Sequence, residues 1–183
     1  MIVCVSLNPA IDRRLILDQF SLGAVNRARQ AQAFPGGKAA HVAMAAQALG
    51  EGVIWVGFLG GHIGDQCESG LRDLRINVKR IRTQSETRVN LEILDAARRV
   101  TEILEPGGAI CASEMEELLF TCAELFQTYG SAAIVALCGS LPPGVPNTFY
   151  ARLIALAKRN HNRVLLDTSG EALRESLGAA PDL

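Results

Sequence analysis

Short, largely apolar runs of strand length alternate along this chain with stretches in which apolar residues recur at helical spacing. The apolar runs cover residues 2–7, 53–59, 132–138 and 164–167. The helical patterns cover residues 39–49, 67–74, 113–130, 147–160 and 169–177. Continuous apolar runs of this length are typical of strands that are buried on both faces of a sheet. The alternation therefore predicts βαβ units and an α/β fold built on a parallel sheet.

Two segments, residues 13–34 and 86–105, interrupt this rhythm. Polar and apolar residues alternate over residues 87–94, which is typical of a strand with one solvent-exposed face. Residues 100–104 are the expected hairpin partner of that strand. We therefore expect the two segments to form a small antiparallel sheet. The core domain is expected to take up residues 1–12, 35–85 and 106–183.

The charge balance excludes several classes of function. The chain carries 18 Lys and Arg against 19 Asp and Glu, a formal net charge of −1. This leaves no basic excess to hold a nucleic-acid backbone or an anionic membrane surface, so neither is an expected partner. An anionic ligand would have to be held by a few local cations.

The cysteines and the N-terminus bear on the compartment. The five cysteines are odd in number and form no CxxC pair, which argues against a disulfide framework or a zinc site and favours the reducing cytoplasm. The first apolar run lacks a preceding basic segment, so it is predicted to be a strand rather than a signal peptide. No apolar run approaches the roughly 18 residues that span a bilayer.

Glycines and polar residues follow the predicted strands, at the ends where parallel sheets bind their ligands. Gly36, Gly37 and Lys38 open a predicted helix. Glycines there permit close backbone approach, free N–H groups face the ligand and the lysine adds a charge, so together they can hold a phosphate. The spacing is not that of a Walker A loop, and the alternative is a turn with a solvated lysine.

Other polar residues are candidates for ligand binding, and for most of them an ordinary structural role is the alternative. Asp12 follows a strand end, where a carboxylate can accept sugar hydroxyls or be an ordinary loop residue. Arg88 and Asn90 share the polar side of one strand, which suits phosphate recognition or a solvated surface. Ser140 lacks the GxSxG context of a hydrolase nucleophile. His41, one helical turn from the glycines, either faces a ligand or is a partly buried histidine with its own partner.

Seven short motifs occur in a fixed order along the chain. They are LNPAID at 7–12, GAVNRA at 23–28, PGGK at 35–38, GFLGG at 57–61, TRVN at 87–90, GSLPPG at 139–144 and DTSGEAL at 167–173. This ordered set resembles the phosphosugar branch of the ribokinase-like (PfkB) carbohydrate kinases, which includes 1-phosphofructokinase and tagatose-6-phosphate kinase. The resemblance covers essentially the whole chain.

The resemblance implies both a fold and an activity. The fold would be a ribokinase-like, Rossmann-type α/β domain with a mostly parallel sheet, helices on both faces and a small β-sheet lid. The activity would be transfer of the γ-phosphoryl group of ATP, with Mg²⁺, to a hydroxyl of a ketohexose phosphate such as fructose 1-phosphate or tagatose 6-phosphate. Lid sheets of some relatives also form the dimer contact, so a homodimer through the lid is expected.

The resemblance assigns binding roles by motif position. Asp12 would hold sugar hydroxyls, and Gly36 and Gly37 would line the sugar with backbone. Ser140 would lie beside the sugar pocket. The substrate phosphate and sugar would be held by Arg27, Lys38, Arg88 and Asn90.

Two departures from the family pattern change what is expected. Members usually continue GGKG-x-N-V-A, whereas this chain has Ala39 in place of the glycine and His41 in place of a substrate-facing asparagine. The family's Lys-Pro-Asn and Gly-Ala-Gly-Asp segments, which carry the catalytic base and the anion hole, are expected beyond Leu183. The chain as given is therefore expected to hold no catalytic residue, an incomplete ATP and Mg²⁺ site, and no significant kinase activity.

Two other classes of function are the alternatives. A non-catalytic sugar-phosphate-binding module, or a decayed remnant of a kinase, would bind sugar phosphate without ATP turnover. A dinucleotide-binding Rossmann domain is disfavoured because no GxGxxG follows the first strand.

Overall fold

The computed structural model describes all 183 residues and contains two β-sheets flanked by helices. The strands are β1 Ile2–Ser6, β2 Ala10–Ile16, β3 Gln30–Gly36, β4 Val53–Gly60, β5 Asn77–Thr83, β6 Arg88–Leu94, β7 Val100–Leu104, β8 Ile134–Cys138 and β9 Arg163–Asp167. The helices are α1 Lys38–Ala48, α2 Gly61–Asp73, α3 Ala112–Tyr129, α4 Phe149–Arg159 and α5 Gly170–Leu177, with one 3₁₀ turn at Gly130–Ala132.

The main sheet has five strands in the order β5-β4-β1-β8-β9, and every neighbouring pair is parallel. The edge strand β5 alternates exposed and buried residues. The other four strands are the apolar runs of the sequence, and all eight residues of β4 are buried. Parallel sheets need cover on both faces, which is why these four strands lack polar alternation. The predicted α/β fold with a parallel sheet is confirmed.

Helices cover both faces of the main sheet. Val3 and Val5 of β1 point into a core that α3, α4 and α5 share. Cys4, between them, points into a second core on the opposite face, against α1 and α2. The buried side of α1 consists only of alanines, so this helix lies close to the strands. Those alanines are Ala39, Ala40, Ala43 and Ala46.

The second sheet has four strands in the order β3-β2-β6-β7. Strands β2 and β3 are antiparallel, as are β6 and β7, but β2 and β6 pair in parallel. The prediction of a purely antiparallel sheet is therefore wrong. The chain passes from β1 into β2 and from β5 into β6. Because β1 and β5 run in the same direction in the main sheet, β2 and β6 enter the second sheet in the same direction.

The strands of the second sheet differ in extent from the prediction. β2 begins at Ala10, directly after the main-sheet strand, and β3 runs to Gly36. The mixture of polar and apolar residues over 24–34 predicts one strand, but residues 24–29 lie outside both β2 and β3. Pro35 is accommodated because β3 is an edge strand, where a missing N–H leaves no neighbour unpaired.

Helix α2 begins earlier than the sequence predicts. The helical pattern of the sequence begins only at residue 67, and the glycines of residues 60–65 predict a loop, yet α2 starts at Gly61. Close approach to neighbouring chain segments explains the glycines. A Cβ at Gly60 would overlap the backbone of Ser85, and one at Gly64 would lie 3.0 Å from the carbonyl carbon of Leu59. Tertiary packing therefore overrides local helix propensity here.

Helix α3 is capped at a different residue from the one predicted. The sequence suggests a capping box of Ser113 and Glu116, but the box is formed by Cys111 and Glu114. Cys111 donates its backbone N–H to Glu114 at 2.7 Å, and Gln84 donates its own to the other carboxylate oxygen at 2.8 Å. None of the helices combines the length and apolarity that crossing a membrane would require.

Candidate functional site

A cleft of about 480 Å³ lies between the carboxyl ends of β1, β8 and β9 and one face of the second sheet. Most of its lining residues are polar. The cleft is lined by Ser6, Asn8, Asp12, Arg14, Phe34, Gly37, Lys38, His41, Arg88, Asn90, Leu91, Glu92, Glu102, Leu104, Cys138, Gly139, Ser140, Thr168 and Ser169. Small-molecule sites commonly occupy 300–1,000 Å³ at such strand ends, so this cleft is the candidate site.

Asp12 occupies a fixed position in the cleft, with its side chain only 13% exposed. Strand pairing places it opposite Asn90, which donates its Nδ2 hydrogen to Asp12 Oδ1 at 2.8 Å. His41 Nε2 lies 3.0 Å from the other carboxylate oxygen. A Cβ at Gly36 would overlap this carboxyl group. Gly36 therefore contributes by leaving room for Asp12, although it does not itself line the cleft.

The surroundings of Asp12 keep it ionised. Burial acts to raise the pKa of this carboxyl, but hydrogen bonds from His41 and Asn90 outweigh it and lower the pKa below its ordinary value. An ionised carboxylate donates no hydrogen bonds and accepts several, so Asp12 is suited to sugar hydroxyls. Its hydrogen bond also raises the pKa of His41.

Helix α1 begins where the glycine motif predicts. Gly37 precedes it with a φ of 84°, a backbone conformation that glycine adopts readily. Lys38 Nζ lies 2.8 Å from Asp167 Oδ1, and both side chains are more than half exposed. Such an exposed pair contributes about 0–1 kcal/mol, so an anionic ligand can replace Asp167 as the partner of Lys38.

Arg88 joins two loops at one end of the cleft. It donates hydrogen bonds to the backbone oxygens of Glu105, at 2.6 Å, and Asn8, at 3.0 Å. Its Nε is buried without a protein partner. Burial lowers the pKa of Arg88 from its ordinary value, yet a guanidinium remains charged in proteins. Arg88 therefore presents a fixed positive charge with unused N–H groups.

Ser140 is positioned by a turn after β8. Gly139 has a φ of 104°, and its carbonyl oxygen accepts hydrogen bonds from Thr168 and Tyr150. Asn8 Nδ2 then donates to Ser140 Oγ at 3.1 Å. The loops after β1, β8 and β9 are thus connected directly.

The cleft contains most, but not all, of the residues that the sequence singles out. Those that line it are Asp12, Gly37, Lys38, His41, Arg88, Asn90 and Ser140. Arg27 is exposed on the segment between β2 and β3 and does not line the cleft.

Sequence reasoning did not single out Asn8, Arg14 or Glu92. Arg14 pairs with Glu92 through two hydrogen bonds of 3.0 Å and lies 5.3 Å above the ring of Phe34. The sequence did contain a signal for this pair. Arg14 follows Asp12 by two residues and Glu92 follows Asn90 by two, so each lies on the same face of its strand as the candidate residue before it.

Nothing in the cleft is arranged as a metal centre. No group of three or more His, Cys, Asp or Glu side chains is placed to hold a metal ion. Asp167 is paired with Lys38, and Asp12 with His41 and Asn90. The residues of the cleft therefore do not fit a resident Mg²⁺.

The chain is a parallel α/β domain whose strand ends are covered by a second, mixed sheet, with charged side chains of both signs in the cleft between them. The chain belongs to the pfkB family of carbohydrate kinases, whose model matches residues 1–183. The ribokinase-like fold is therefore confirmed, and with it the membership that the motifs predict.

Individual relatives are sugar-phosphate kinases. The chain is 37% identical over 177 residues, 97% of its length, to tagatose-6-phosphate kinase of Staphylococcus epidermidis, and 36% identical over 183 residues to 1-phosphofructokinase of Rhodobacter capsulatus. A tetrameric inhibited form of phosphofructokinase-2 from Escherichia coli matches 97% of the chain with a TM-score of 0.89 and 30% identity. The same enzyme in complex with fructose-6-phosphate matches with a TM-score of 0.88 and 29% identity.

The chain spans only part of each of these relatives. It covers 56% of the Staphylococcus epidermidis protein, 57% of the Rhodobacter capsulatus protein and 57% of the Escherichia coli structure. The activities of those whole proteins are therefore a basis for proposals about this chain.

Proposed function

We propose that this chain is the acceptor-binding part of a phosphosugar kinase and binds a ketohexose phosphate in the cleft. The observation that carries the proposal is the Asp12 carboxylate, held between His41 and Asn90 in the same cleft as Lys38 and Arg88. Hydroxyl groups require fixed acceptors and a phosphate requires fixed cations, and this cleft offers both within about 480 Å³.

Each wall of the cleft has a different task in this proposal. Asp12 accepts hydrogen bonds from sugar hydroxyls, while Gly37 allows the sugar to approach the backbone at the start of α1. Arg88 and Lys38 bind the phosphate oxygens, with Asn90 and Ser140 offering neutral hydrogen bonds. The second sheet covers the bound sugar and excludes water, which strengthens these polar contacts.

Kinases of this family use ATP and Mg²⁺ in general. We propose that the 183 residues bind the acceptor but do not turn over ATP, since the Lys-Pro-Asn and Gly-Ala-Gly-Asp segments, which carry the catalytic base and the anion hole in the family, do not occur among them. Phosphoryl transfer depends on stabilising the transferred group, and the residues placed here act on the acceptor. The alternative is a non-catalytic sugar-phosphate-binding module. It would bind the same ligand in the same cleft, but the complete protein would not transfer a phosphoryl group.

Calorimetry tests the binding proposal. Fructose 1-phosphate, fructose 6-phosphate and tagatose 6-phosphate are titrated into the purified chain, with unphosphorylated fructose as the comparison. We expect saturable binding of at least one sugar phosphate and much weaker binding of fructose. Absence of binding by all three sugar phosphates would remove the proposal, and ATP turnover in a coupled assay would remove the claim of inactivity.

We also propose a homodimer formed through the second sheet. Val100, Ile103 and Leu104 of its edge strand β7 are each more than half exposed, and an exposed apolar edge strand is a favourable site for association. Ile103→Glu is expected to convert a dimer into a monomer in sedimentation velocity. Phe120→Glu, at an exposed apolar residue of α3, is the matched control and should leave the dimer intact. A wild-type monomer at high concentration contradicts the proposal.

A further inference from the structure

His41 differs chemically from every other residue of the cleft. Its side chain is 50% exposed, and its Nε2 lies 3.0 Å from Asp12 Oδ2. Among the side chains of the cleft, only the imidazole of His41 has an ordinary pKa near neutrality. The other candidate, the thiol of Cys138, is excluded because burial raises its pKa to about 11. His41 is therefore the group of the cleft that can change charge in the physiological range.

Protonation of His41 changes what its second nitrogen can bind. Because Nε2 carries the hydrogen that is donated to Asp12, Nδ1 accepts a hydrogen bond in the neutral ring and donates one in the protonated ring. A hydroxyl group can satisfy either form. A phosphate oxygen accepts but does not donate, so it is favoured only by the protonated form.

Charged groups from several elements line the cleft together with His41. Acidic and basic side chains are both present, so the ring lies in a mixed field. The acidic groups are Asp12, Glu92 and Glu102, and the basic groups are Arg14, Lys38 and Arg88, with Asp167 paired to Lys38. Asp12 and Glu92 already act to hold a proton on the ring. A bound phosphate would add negative charge to the same cleft.

We propose that His41 takes up a proton when a sugar phosphate binds, so that this residue couples recognition of the phosphate to pH. The proposal rests on the proposed function, since it requires a sugar phosphate in the cleft. Linkage makes the effect reciprocal: if the phosphate favours the imidazolium, the imidazolium strengthens binding of the phosphate by the same factor. The neutral sugar gains nothing from the proton, so His41 also helps to separate phosphorylated from unphosphorylated sugars.

Calorimetry in buffers with different ionisation enthalpies measures the coupled proton directly. The sugar phosphate that binds most tightly among fructose 1-phosphate, fructose 6-phosphate and tagatose 6-phosphate is titrated between about pH 6 and about pH 8.5, the range in which histidine titrates. His41→Asn keeps a polar side chain with a hydrogen-bond donor and acceptor but cannot titrate. His62→Asn, an exposed histidine on α2 outside the cleft, is the matched control.

We expect wild type and His62→Asn to take up as much as one proton per ligand bound. Above the pKa of His41, their affinity should fall by as much as about tenfold per pH unit relative to His41→Asn, the factor that one linked proton produces. The phosphate itself titrates near pH 6, but His41→Asn retains that contribution, so the difference between the proteins isolates the histidine.

Equal proton uptake by wild type and His41→Asn would overturn the proposal while leaving the proposed function in place. No binding of any sugar phosphate to any of the proteins would overturn both. If His41→Asn does not fold, the imidazole resonances of wild-type His41 decide the question. We expect their titration midpoint to move to higher pH when the sugar phosphate is added, and an unchanged midpoint contradicts the proposal.

Discussion

Asp12 has its position because a neighbouring residue has no side chain. Gly36 pairs with Ala10 on the adjacent strand, and a Cβ at position 36 would fall on the carboxyl group of Asp12. The φ of Gly36 is not in the left-handed region, so space rather than backbone conformation requires the glycine. Strand pairing then brings Asn90 alongside, and α1 brings His41.

Gly36→Ala should therefore disturb the site as well as the fold. We expect a loss of about 1–3 kcal/mol in the free energy of unfolding, because the methyl group overpacks against Asp12, together with weaker sugar binding. Chemical denaturation and calorimetry measure the two effects. Gly178→Ala is the control, since that glycine has no atom within 4 Å and a compatible φ of −62°. It should be neutral or stabilising by up to about 1 kcal/mol, and equal losses in the two variants would contradict the steric account.

Arg88→Ala should weaken binding of the phosphorylated sugar far more than binding of its unphosphorylated parent. Charge-assisted hydrogen bonds contribute about 1.5–3 kcal/mol, so we expect a loss of roughly tenfold to 150-fold in affinity for the sugar phosphate. Arg88→Lys retains the charge but cannot bond both loop carbonyls as the guanidinium does, and it should fall between wild type and Arg88→Ala. Equal weakening of the two sugars would show that Arg88 acts by holding the loops rather than by binding phosphate.

The sequence indicated the residues of the site better than their partners. Asp12 and Asn90 were both candidates, but their direct contact depends on the parallel pairing of β2 with β6, which a local pattern does not reveal. The sequence predicts Lys38 as a phosphate-binding residue but does not predict its partner in the structure, Asp167, which lies 129 positions away. Arg27 belongs to a matching motif but lies outside the cleft, because position in a motif does not determine where a loop residue is exposed.

At the scale of elements, the start of α3 joins local and distant parts of the chain. Glu114 is 6% exposed and accepts backbone hydrogen bonds from Cys111, at the start of its own helix, and from Gln84, after β5. This one carboxylate therefore caps α3 and fixes a connection that leads into the second sheet.

Glu114→Ala should be strongly destabilising for a helix-end substitution. It leaves two backbone N–H groups without their acceptor, and we expect a loss of about 1–3 kcal/mol in the free energy of unfolding. Glu116→Ala, at the exposed residue of the capping box suggested by the sequence, should change stability by less than about 0.5 kcal/mol. Thermal and denaturant unfolding of the two variants measures the difference, and the reverse order would contradict the observed cap.

Elements with a strong apolar pattern were predictable, and those shaped by close packing were not. The buried strands of the main sheet agree with the sequence to within two residues at either end, since their composition suits a sheet covered on both faces. The start of α2 was missed because Gly60 and Gly64 indicate a loop locally, while packing against Ser85 and Leu59 is what requires them. Tertiary contact also explains why Cys111, and not Ser113, caps α3. The backbone N–H of Gln84 donates to Glu114 and so helps to hold that carboxylate at the helix start.

At the scale of the whole molecule, the chain passes twice from the main sheet into the second sheet, and the cleft lies between the two sheets. β1 leads directly into β2 and β5 into β6, so the strand ends of the main sheet face the polar side of the second. The cations of the cleft therefore come from different elements of a chain with a formal net charge of −1. Local placement, rather than an overall positive field, would hold the anionic ligand that we propose.

The most direct test is to map where a sugar phosphate binds, using backbone amide shifts in a ¹⁵N–¹H spectrum of the chain. We expect the largest ligand-induced shifts at Gly37, Lys38, Asn90 and Ser140, and we expect them to saturate with the affinity measured by calorimetry. A groove of about 450 Å³ between α3 and α4, which includes Phe120, offers a competing location of similar size. Shifts confined to that groove, or the absence of saturable shifts with all three sugar phosphates, would contradict the account.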